Sequence, residues 1–404
     1  MAAVLFIAAF AVTSSAAPAS SVTFDVARDV AEHASPDVEI AQKKLDLSAA
    51  EVGVAGTWSN PSLNIQTARY TARLGTSISV PLPVFGQSSK ASDAADAERI
   101  VAGWAVGVAT IDARWGASMA WIDLWEAEAT ARLVLDSERD AETILAVAQE
   151  RSDAGSGPLV DVVRARADRA RAKAEAISAA SAIRSASARL SPWLGATDAM
   201  DIATRGTPSY PATLPGLPQL EGALDDHAIA HRDRADVDAA IAHLAHERRQ
   251  RWPIVNAQLG VDAFDPGLDG PDVIGGVSFE VPLFNLRGAA IARQEAQIAV
   301  TEASSRADRR RLRSALRDAY RKAEGESARV RVLESELVPA IVEARAMTEE
   351  AYRAGRVDML RLLDAQKALI DARRAALDAS ASFYRATADL ERALGQRWES
   401  SRAQ

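Results

Sequence analysis

Apolar and polar residues alternate along two regions of the chain, near residues 61–83 and 254–283. The alternating apolar residues are Leu63, Ile65, Ile78, Val80 and Leu82, and then Val255, Ala257, Leu259, Val261, Val277 and Phe279. A period of two predicts β-strands, and the turn residues inside each region make each one a β-hairpin. The pattern suits tilted membrane strands of about nine to eleven residues, but a half-buried hairpin in a soluble domain shows the same alternation.

A long helical stretch follows each hairpin. The first runs from about residue 88 to 153, and the second from about residue 288 to 353 with only Pro339 inside it. At 1.5 Å per residue such a helix spans about 100 Å, which exceeds a compact domain. The pattern therefore predicts a coiled coil, a helical tube or a spacer. A further helix is predicted before the first hairpin, over about residues 23–57.

Each long helix leads into a glycine turn and a return helix. The turns lie at Ala154–Pro158 and Ala354–Arg356, and the return helices end at Leu194-Gly195 and Leu394-Gly395. These features recur at an offset of 200 residues, and the strand Gly75–Leu82 returns as Gly276–Leu283. A period this long predicts two tandem copies of one large structural unit.

The repeat and the segments around it give a domain division. We expect a signal peptide over 1–19, a first copy over 20–203, a Pro-rich linker over 204–218, a second copy over 219–395 and a tail over 396–404. The first 19 residues are apolar and then small, as in the h-region and cleavage site of a secretory signal. A basic n-region is missing, which suggests that the sequence begins inside a longer signal.

Composition and charge narrow the classes of function. Aromatic residues make up 5% of the chain, which favours long helices over compact aromatic cores. The net charge of −8 argues against a nucleic-acid partner, because phosphate binding needs a basic face. The chain has no cysteine and therefore no disulfide. No apolar run of about 18 residues follows the N-terminus, so no membrane-spanning helix is predicted.

An ordered set of motifs resembles a known family. The motifs are Asn60-Pro61-Ser62-Leu63, the Val-Pro-Leu strand ends at 80–82 and 281–283, Ala351–Gly355 and Leu362–Gln366, together with the duplication itself. In this set the chain resembles the outer-membrane factor (TolC) family of Gram-negative efflux and secretion systems. It is most similar to the cation-efflux branch of that family.

The resemblance implies a mostly α fold with a small β part, a TolC-like α/β barrel built from two tandem repeats. It implies a homotrimer with a twelve-stranded outer-membrane β-barrel on a long periplasmic α-helical tube. The expected function is a passive exit duct for heavy-metal cations, which contacts a periplasmic membrane-fusion adaptor, an inner-membrane RND-type transporter and outer-membrane lipid. A drug or type I protein-secretion tunnel stays open, and so does a soluble coiled-coil scaffold or adaptor, although a scaffold has no use for two matched hairpins.

The resemblance also assigns roles to the glycine turns. They become the periplasmic tip, where family members close the tube and dock the adaptor. The candidate docking residues are Gly155, Gly157, Gly355 and Arg356. Glycine allows close backbone approach and a left-handed conformation. A plain helix–turn–helix glycine is the alternative interpretation.

Two further pairs of residues have competing interpretations. Asp161 and Asp358 follow the turns closely and form either a threefold carboxylate ring at a pore constriction or a complement to the helix dipole. Trp58 and Trp252 lie at the helix-to-strand transitions, where they sit at a membrane interface or between helix ends.

The remaining candidate chemistry favours no catalytic, cofactor or metal site. Nucleophile-elbow, Walker A and His-Glu-x-x-His motifs are all missing. We expect packing roles for three tryptophans, Trp115, Trp121 and Trp125. Four histidines have helical pair spacings that can bind Zn²⁺ or Cu⁺, but a solvated helix face is favoured for them: His227, His231, His243 and His246.

The two predicted hairpin loops differ in charge. The first carries Arg69 and Arg73, whereas the second carries Asp265, Asp269 and Asp272. Weak binding of a divalent ion is one interpretation of the acidic loop, but the loop lacks the ligand spacing of an EF-hand, so a solvated loop is expected. If the duct selects among its cargoes, these unequal positions are where we expect the selection.

Overall fold

The structure is a computed structural model that describes residues 20–67, 74–196, 201–208, 210, 214–263, 270–280, 284 and 286–397. The predicted signal segment 1–19 lies outside the described residues, and so do the loop residues Arg69, Arg73, Asp265 and Asp269. The predicted domain boundaries therefore stay a prediction. The described chain is mostly helical, with a small sheet, as expected.

The described part of the first half of the chain contains four strands and four α-helices. They are β1 (Ser20–Thr23), α1 (Phe24–Ala34), α2 (Pro36–Gly56), β2 (Ser62–Gln66), β3 (Leu74–Leu82), α3 (Gln87–Asp153), α4 (Leu159–Leu190) and β4 (Ile202–Arg205). A short 3₁₀ turn at Ser191–Leu194 follows α4. The prediction of one helix over residues 23–57 is wrong, because the chain breaks at Ser35. Pro36 then occupies the first turn of α2, where its missing N–H leaves no bond unmade.

The second half repeats the hairpin and the helical pair. Its elements are α5 (Leu217–Gly222), α6 (Ala228–Arg249), β5 (Ile254–Ala263), β6 (Asp272–Glu280), α7 (Gly288–Val332), α8 (Val338–Arg353) and α9 (Met359–Leu394). A wide turn at Leu333–Leu337 separates α7 from α8, and the Val338 N–H bonds to the Leu333 carbonyl. Pro339 follows directly and has no N–H to donate, so the helix locally takes the wider turn.

Both predicted hairpins are present and pair with each other. The sheet order is β2-β3-β5-β6, and all three pairings are antiparallel. A second, two-stranded sheet pairs β1 with β4 in parallel. The sequence did not predict it, because strands of four residues are too short to show a period. Glu128 holds β4 in place by accepting bonds from the Thr204 N–H at 2.8 Å and its hydroxyl at 2.6 Å.

The chain forms two compact units. The first consists of the described parts of residues 1–31, 116–210 and 325–385, and the second of those of 32–115, 211–324 and 386–404. In the first unit, apolar residues cluster at the ends of the long helices: Ile144, Ala148, Val162, Ala165, Tyr352, Met359 and Leu362. In the second unit, the cluster contains Leu220, Leu224, Leu316, Ala319, Leu390, Ala393 and Leu394.

Candidate functional site

The four-stranded sheet has one apolar face. The register places on this face Leu63, Ile65, Ile78, Val80, Leu82, Val255, Ala257, Leu259, Val261, Val273, Val277 and Phe279. Large members are well exposed in the single chain: Leu63 is 61% exposed, Leu259 64% and Phe279 59%. A contiguous exposed apolar surface of this kind marks a site of contact with a partner or a membrane.

The opposite face of the sheet is mostly polar or small, although the register also places Pro81, Ile254 and Ile274 on it. It carries Ser62, Asn64, Gln66, Gly75, Ser77, Ser79, Asn256, Gln258, Gly260, Asp262, Asp272, Gly276, Ser278 and Glu280. Asp262 lies opposite Asp272, and its carboxylate leans over Gly75, where an added Cβ would meet it at 2.7 Å. Every charged residue that the described strands place on this face is therefore acidic.

Both edges of this sheet are open within the described residues. β2 pairs only with β3, and β6 only with β5. The unpaired N–H and C=O groups along an edge strand are a template for another strand. The sheet is therefore incomplete in a single chain.

The two glycine turns have nearly the same backbone geometry. Gly155 has φ +70° and Gly355 φ +71°, so both residues are left-handed. In the first turn the Ser156 and Gly157 N–H groups bond to the Arg151 carbonyl at 2.9 and 3.0 Å. In the second turn the Arg356 N–H bonds to the Ala351 carbonyl at 2.9 Å. These bonds satisfy helix-end carbonyls and make each turn a tight C-cap.

One arginine joins the two turns. The Arg151 guanidinium donates to the Tyr352 carbonyl at 3.0 Å and lies 4.7 Å from the centre of the Tyr352 ring. It also bonds to the Ser156 carbonyl at 3.4 Å. Tyr352 is buried, and its burial raises the pKa of its hydroxyl. Sequence reasoning missed this contact, because residues 201 positions apart show no shared local pattern.

The other candidate residues at the turns differ in their local contacts and exposure. Asp358 accepts a bond from the Arg361 N–H at 3.1 Å and so caps the start of α9. Asp161 lies in the first turn of α4. Arg356 is exposed, and an added Cβ on Gly157 would meet the Arg151 Cβ at 3.1 Å. Both carboxylates thus lie at helix N-termini, where they complement the helix dipole, and the pore role stays a prediction.

The two transition tryptophans are exposed. Trp58 is 61% exposed and Trp252 is 51% exposed. Trp252 stacks on Phe85 with the ring centres 5.4 Å apart. The Gln87 side-chain amide bonds to the carbonyls of Trp252 and Pro253 at 3.3 and 3.4 Å. These contacts tie the exit of the first hairpin to the entry of the second.

The packing prediction for the tryptophans of α3 is confirmed. Trp121 is fully buried and donates to the Val22 carbonyl at 2.9 Å, and Trp125 is also buried. Trp115 is partly buried and donates to Asp389 at 2.8 Å. Large aromatic side chains on this helix therefore stabilise the contact between elements.

The prediction of a solvated face is wrong for His227, which is 2% exposed. His231 stacks on Trp104 at 4.3 Å between ring centres, and the His243 imidazole lies 2.9 Å from Glu98. His246 contacts the Gln250 side chain at 2.6 Å. No group of three or more metal-ligating side chains occurs among the described residues.

Crossing a bilayer takes about 20 consecutive, mainly apolar residues in a helix, and the helices of the described residues fall short of this. None of them contains an apolar stretch long enough to cross a membrane.

The chain matches a known protein family and a sequence relative over most of its length. The family model for outer membrane efflux proteins matches residues 27–196 and 231–396. The cobalt-zinc-cadmium resistance protein CzcC of Cupriavidus metallidurans is 24% identical, over 87% of this chain and 84% of that protein.

Two solved structures share the fold. A structure of CusC superposes with a TM-score of 0.77 at 16% identity, covering 93% of this chain and 92% of that chain. A membrane protein from Pseudomonas aeruginosa also gives a TM-score of 0.77, at 19% identity, over 92% of this chain and 93% of that chain. The expected mostly α, TolC-like fold with a small β part is confirmed, and the homotrimer with its twelve-stranded barrel stays a prediction.

Proposed function

The chain belongs to the outer membrane efflux protein family, and we propose that three copies of it form one passive exit duct of a tripartite efflux pump. Each copy supplies four strands to a twelve-stranded barrel in the outer membrane. The long helices form a tube that extends into the periplasm. A periplasmic adaptor contacts the tube and links it to an inner-membrane RND-type transporter.

The open, two-faced sheet carries this proposal. In lipid every backbone N–H and C=O group must be bonded within the protein, so an open sheet edge is excluded there. β2 and β6 therefore pair with strands of other copies, and the apolar face contacts lipid. The polar face then lines the lumen, which suits a water-filled exit path. Three copies are expected from the family resemblance and give the even strand number of such barrels.

We propose heavy-metal cations as the cargo. The relative CzcC is named for cobalt, zinc and cadmium resistance. The acidic residues of the polar face are Asp262, Asp272 and Glu280, and carboxylates along a path favour cations over anions. Their sparse placement suits a conduit, because tight binding would slow release.

The remaining candidate residues take roles in the same duct. Gly155, Gly355 and Arg356 are exposed at the turns, where the adaptor is proposed to dock, and Gly157 lies beside them. Asp161 and Asp358 ring the constriction in the trimer. The exposed Trp58 and Trp252 rings lie at the level of the lipid headgroups, where amphipathic aromatic side chains are favoured.

Neighbouring residues of β2 test which face meets lipid. Leu63→Lys places a charge on the apolar face, and such a charge costs about 2–4 kcal/mol near the bilayer midplane. Asn64→Lys is the matched control, since it adds the same charge one residue along, on the polar face. Membrane fractionation and heat-modifiable migration on a gel report the assembled trimer. We expect the trimer band to be lost for Leu63→Lys and kept for Asn64→Lys.

Equal behaviour of the two variants would contradict the face assignment. A soluble, monomeric wild-type chain would instead favour a coiled-coil scaffold. The cargo is tested separately, by growth of a deletion strain on zinc, cobalt or cadmium and on drugs. Unchanged metal tolerance with raised drug sensitivity would refute the cation assignment and favour a drug tunnel.

A further inference from the structure

One imidazole ring joins the ends of two helices in the second unit. His227 immediately precedes α6 and is 2% exposed. Its Nδ1 accepts a bond from the Ile229 N–H at 3.0 Å, and its Nε2 lies 3.1 Å from the Arg392 carbonyl near the end of α9. A backbone N–H only donates and a carbonyl only accepts. The ring must therefore be neutral, with its proton on Nε2.

The end of α9 is shaped around this ring. Gly395 follows the last helical residue and has φ +71°. An added Cβ on Gly395 would lie 2.6 Å from Cδ2 and 3.0 Å from Nε2 of His227. Glycine is thus required there both by the left-handed backbone and by the space that the imidazole fills. A single side chain thus hydrogen-bonds a backbone N–H at the start of α6 and a backbone carbonyl near the end of α9.

We propose that His227 is a pH-sensitive joint that holds the end of α9 against the start of α6 at neutral pH and releases it when the ring is protonated. Protonation occurs at Nδ1, the ring nitrogen that carries no proton. It replaces an acceptor with an N–H that faces the N–H of Ile229. The N-cap bond of α6 is then lost, and two donors oppose each other in a buried site.

Burial is the main cause that lowers the pKa of His227 below its ordinary value of 6.5. The Arg392 carbonyl and the carboxylates of Asp112 and Asp233 act in the opposite direction and are weaker. Because the folded pKa is the lower one, the contribution of the neutral ring to stability is complete above about pH 6.5. It is lost as the pH falls from there through the folded pKa.

The surrounding carboxylates do not offer a free counter-ion to a charged ring. The two carboxylates that act on its pKa, Asp112 on α3 and Asp233 on α6, are each paired with an arginine: Asp112 with Arg392 at 2.8 Å and Asp233 with Arg232 at 3.3 Å. On α9, Asp389 accepts a bond from the neutral indole N–H of Trp115 at 2.8 Å. From α7, Asp308 is paired with Arg311 at 2.8 Å and Asp318 with Lys322 at 2.7 Å. Asp225 and Asp226, just before the ring, are exposed. Protonation therefore opens the joint instead of forming a new ion pair.

Hydrogen exchange of the full-length protein in detergent tests the joint. Peptides from the start of α6 and the end of α9 are compared at pH 7.5 and 5.0, after correction for the intrinsic exchange rate. In the wild type we expect the opening constant to rise by up to about tenfold per pH unit below pH 6.5, because one proton is bound per opening. Melting temperature over the same pH range gives an independent readout.

Three variants separate the joint from general acid loosening. His227→Gln can accept and donate but does not titrate, so its α9 end should keep the same opening constant at both pH values. His231→Gln is the control: His231 lies in the first turn of α6 but stacks on Trp104 of α3 instead of joining the helix ends, so the wild-type pH response should stay intact. Gly395→Ala should open the α9 end at pH 7.5 already.

A wild-type opening constant that stays flat between pH 7.5 and 5.0 would overturn the proposal. So would a pH-dependent rise that persists in His227→Gln. If His227→Gln does not fold, Gly395→Ala decides: an α9 end as protected as in the wild type at pH 7.5 would show that the ring does not hold it.

Discussion

Gly116 and Leu316 lie 200 residues apart in the long helices α3 and α7, and they meet partners of opposite size. An added Cβ on Gly116 would lie 2.3 Å from the Trp193 ring. In the second half the fully buried Leu316 shares a cluster with Ala393, which is the residue 200 positions after Trp193. Large and small have exchanged places between the halves. Both contacts are closely packed, but by different pairs of residues. Exchanging one residue between the halves would therefore create a clash or a cavity.

A second difference lies where each hairpin enters its long helix. Gly86 has φ +79° in the first half, and its carbonyl accepts from the Lys90 N–H at 3.0 Å. Arg287 has φ +55° at the same place in the second half. Its guanidinium binds Glu247 at 2.9 Å, and that carboxylate side chain is 13% exposed. The same left-handed turn is thus formed by Gly86, which adopts it without strain, in one half. In the other half it is formed by Arg287, whose side chain is fixed by the ion pair with Glu247.

The largest effect is expected from the large residue of the exchanged pair. Leu316→Ala should lower the free energy of unfolding by about 2–5 kcal/mol, because the site is closely packed and cannot collapse fully. Thermal melting of the purified protein measures the change. Leu337→Ala is a control, since that leucine is 38% exposed and should cost much less. Equal losses in the two variants would show that the Leu316 contact is not tight.

Gly116 should respond to added volume instead of lost volume. Gly116→Ala should cost about 1–3 kcal/mol, because the methyl group overlaps the Trp193 ring. In the double variant with Trp193→Ala the clash is removed, so the two losses should not add. Melting of the two single variants and the double variant gives the coupling. Additive losses would mean that Gly116 is needed for a reason other than the tryptophan.

The hairpins and long helices could be predicted from the sequence because their signals are local and periodic. Leu63 and Ile65 alternate with polar neighbours, and the absence of proline over residues 88–153 predicts one uninterrupted helix. The family resemblance added the expected homotrimer, with its twelve-stranded barrel and periplasmic tube. The break at Pro36 was missed, because the apolar spacing continued across it and outweighed the proline signal.

Contacts between residues far apart in the chain could not be predicted from the sequence. His227 was expected to be solvated. The spacing of the histidines places them on a helix but does not show which other helix end packs against them. The Arg151–Tyr352 contact was missed for the same reason, since its two members belong to different halves. The candidate turn residues could be placed on turns, but their roles in docking depend on a partner that the chain alone does not encode.

The smallest net effect is expected at the strand-to-helix turn of the second half. Gly86→Ala should cost about 1–2 kcal/mol, because an alanine there must adopt a left-handed backbone. Arg287→Gly relieves the corresponding strain but leaves Glu247 without its guanidinium partner, so the two contributions oppose each other and the net change should stay within about 1 kcal/mol. Adding Glu247→Gln to Arg287→Gly removes the unpaired charge and should recover stability. If Arg287→Gly alone costs several times more than Gly86→Ala, the ion pair outweighs the strain, and the arginine is the stabilising choice at that turn.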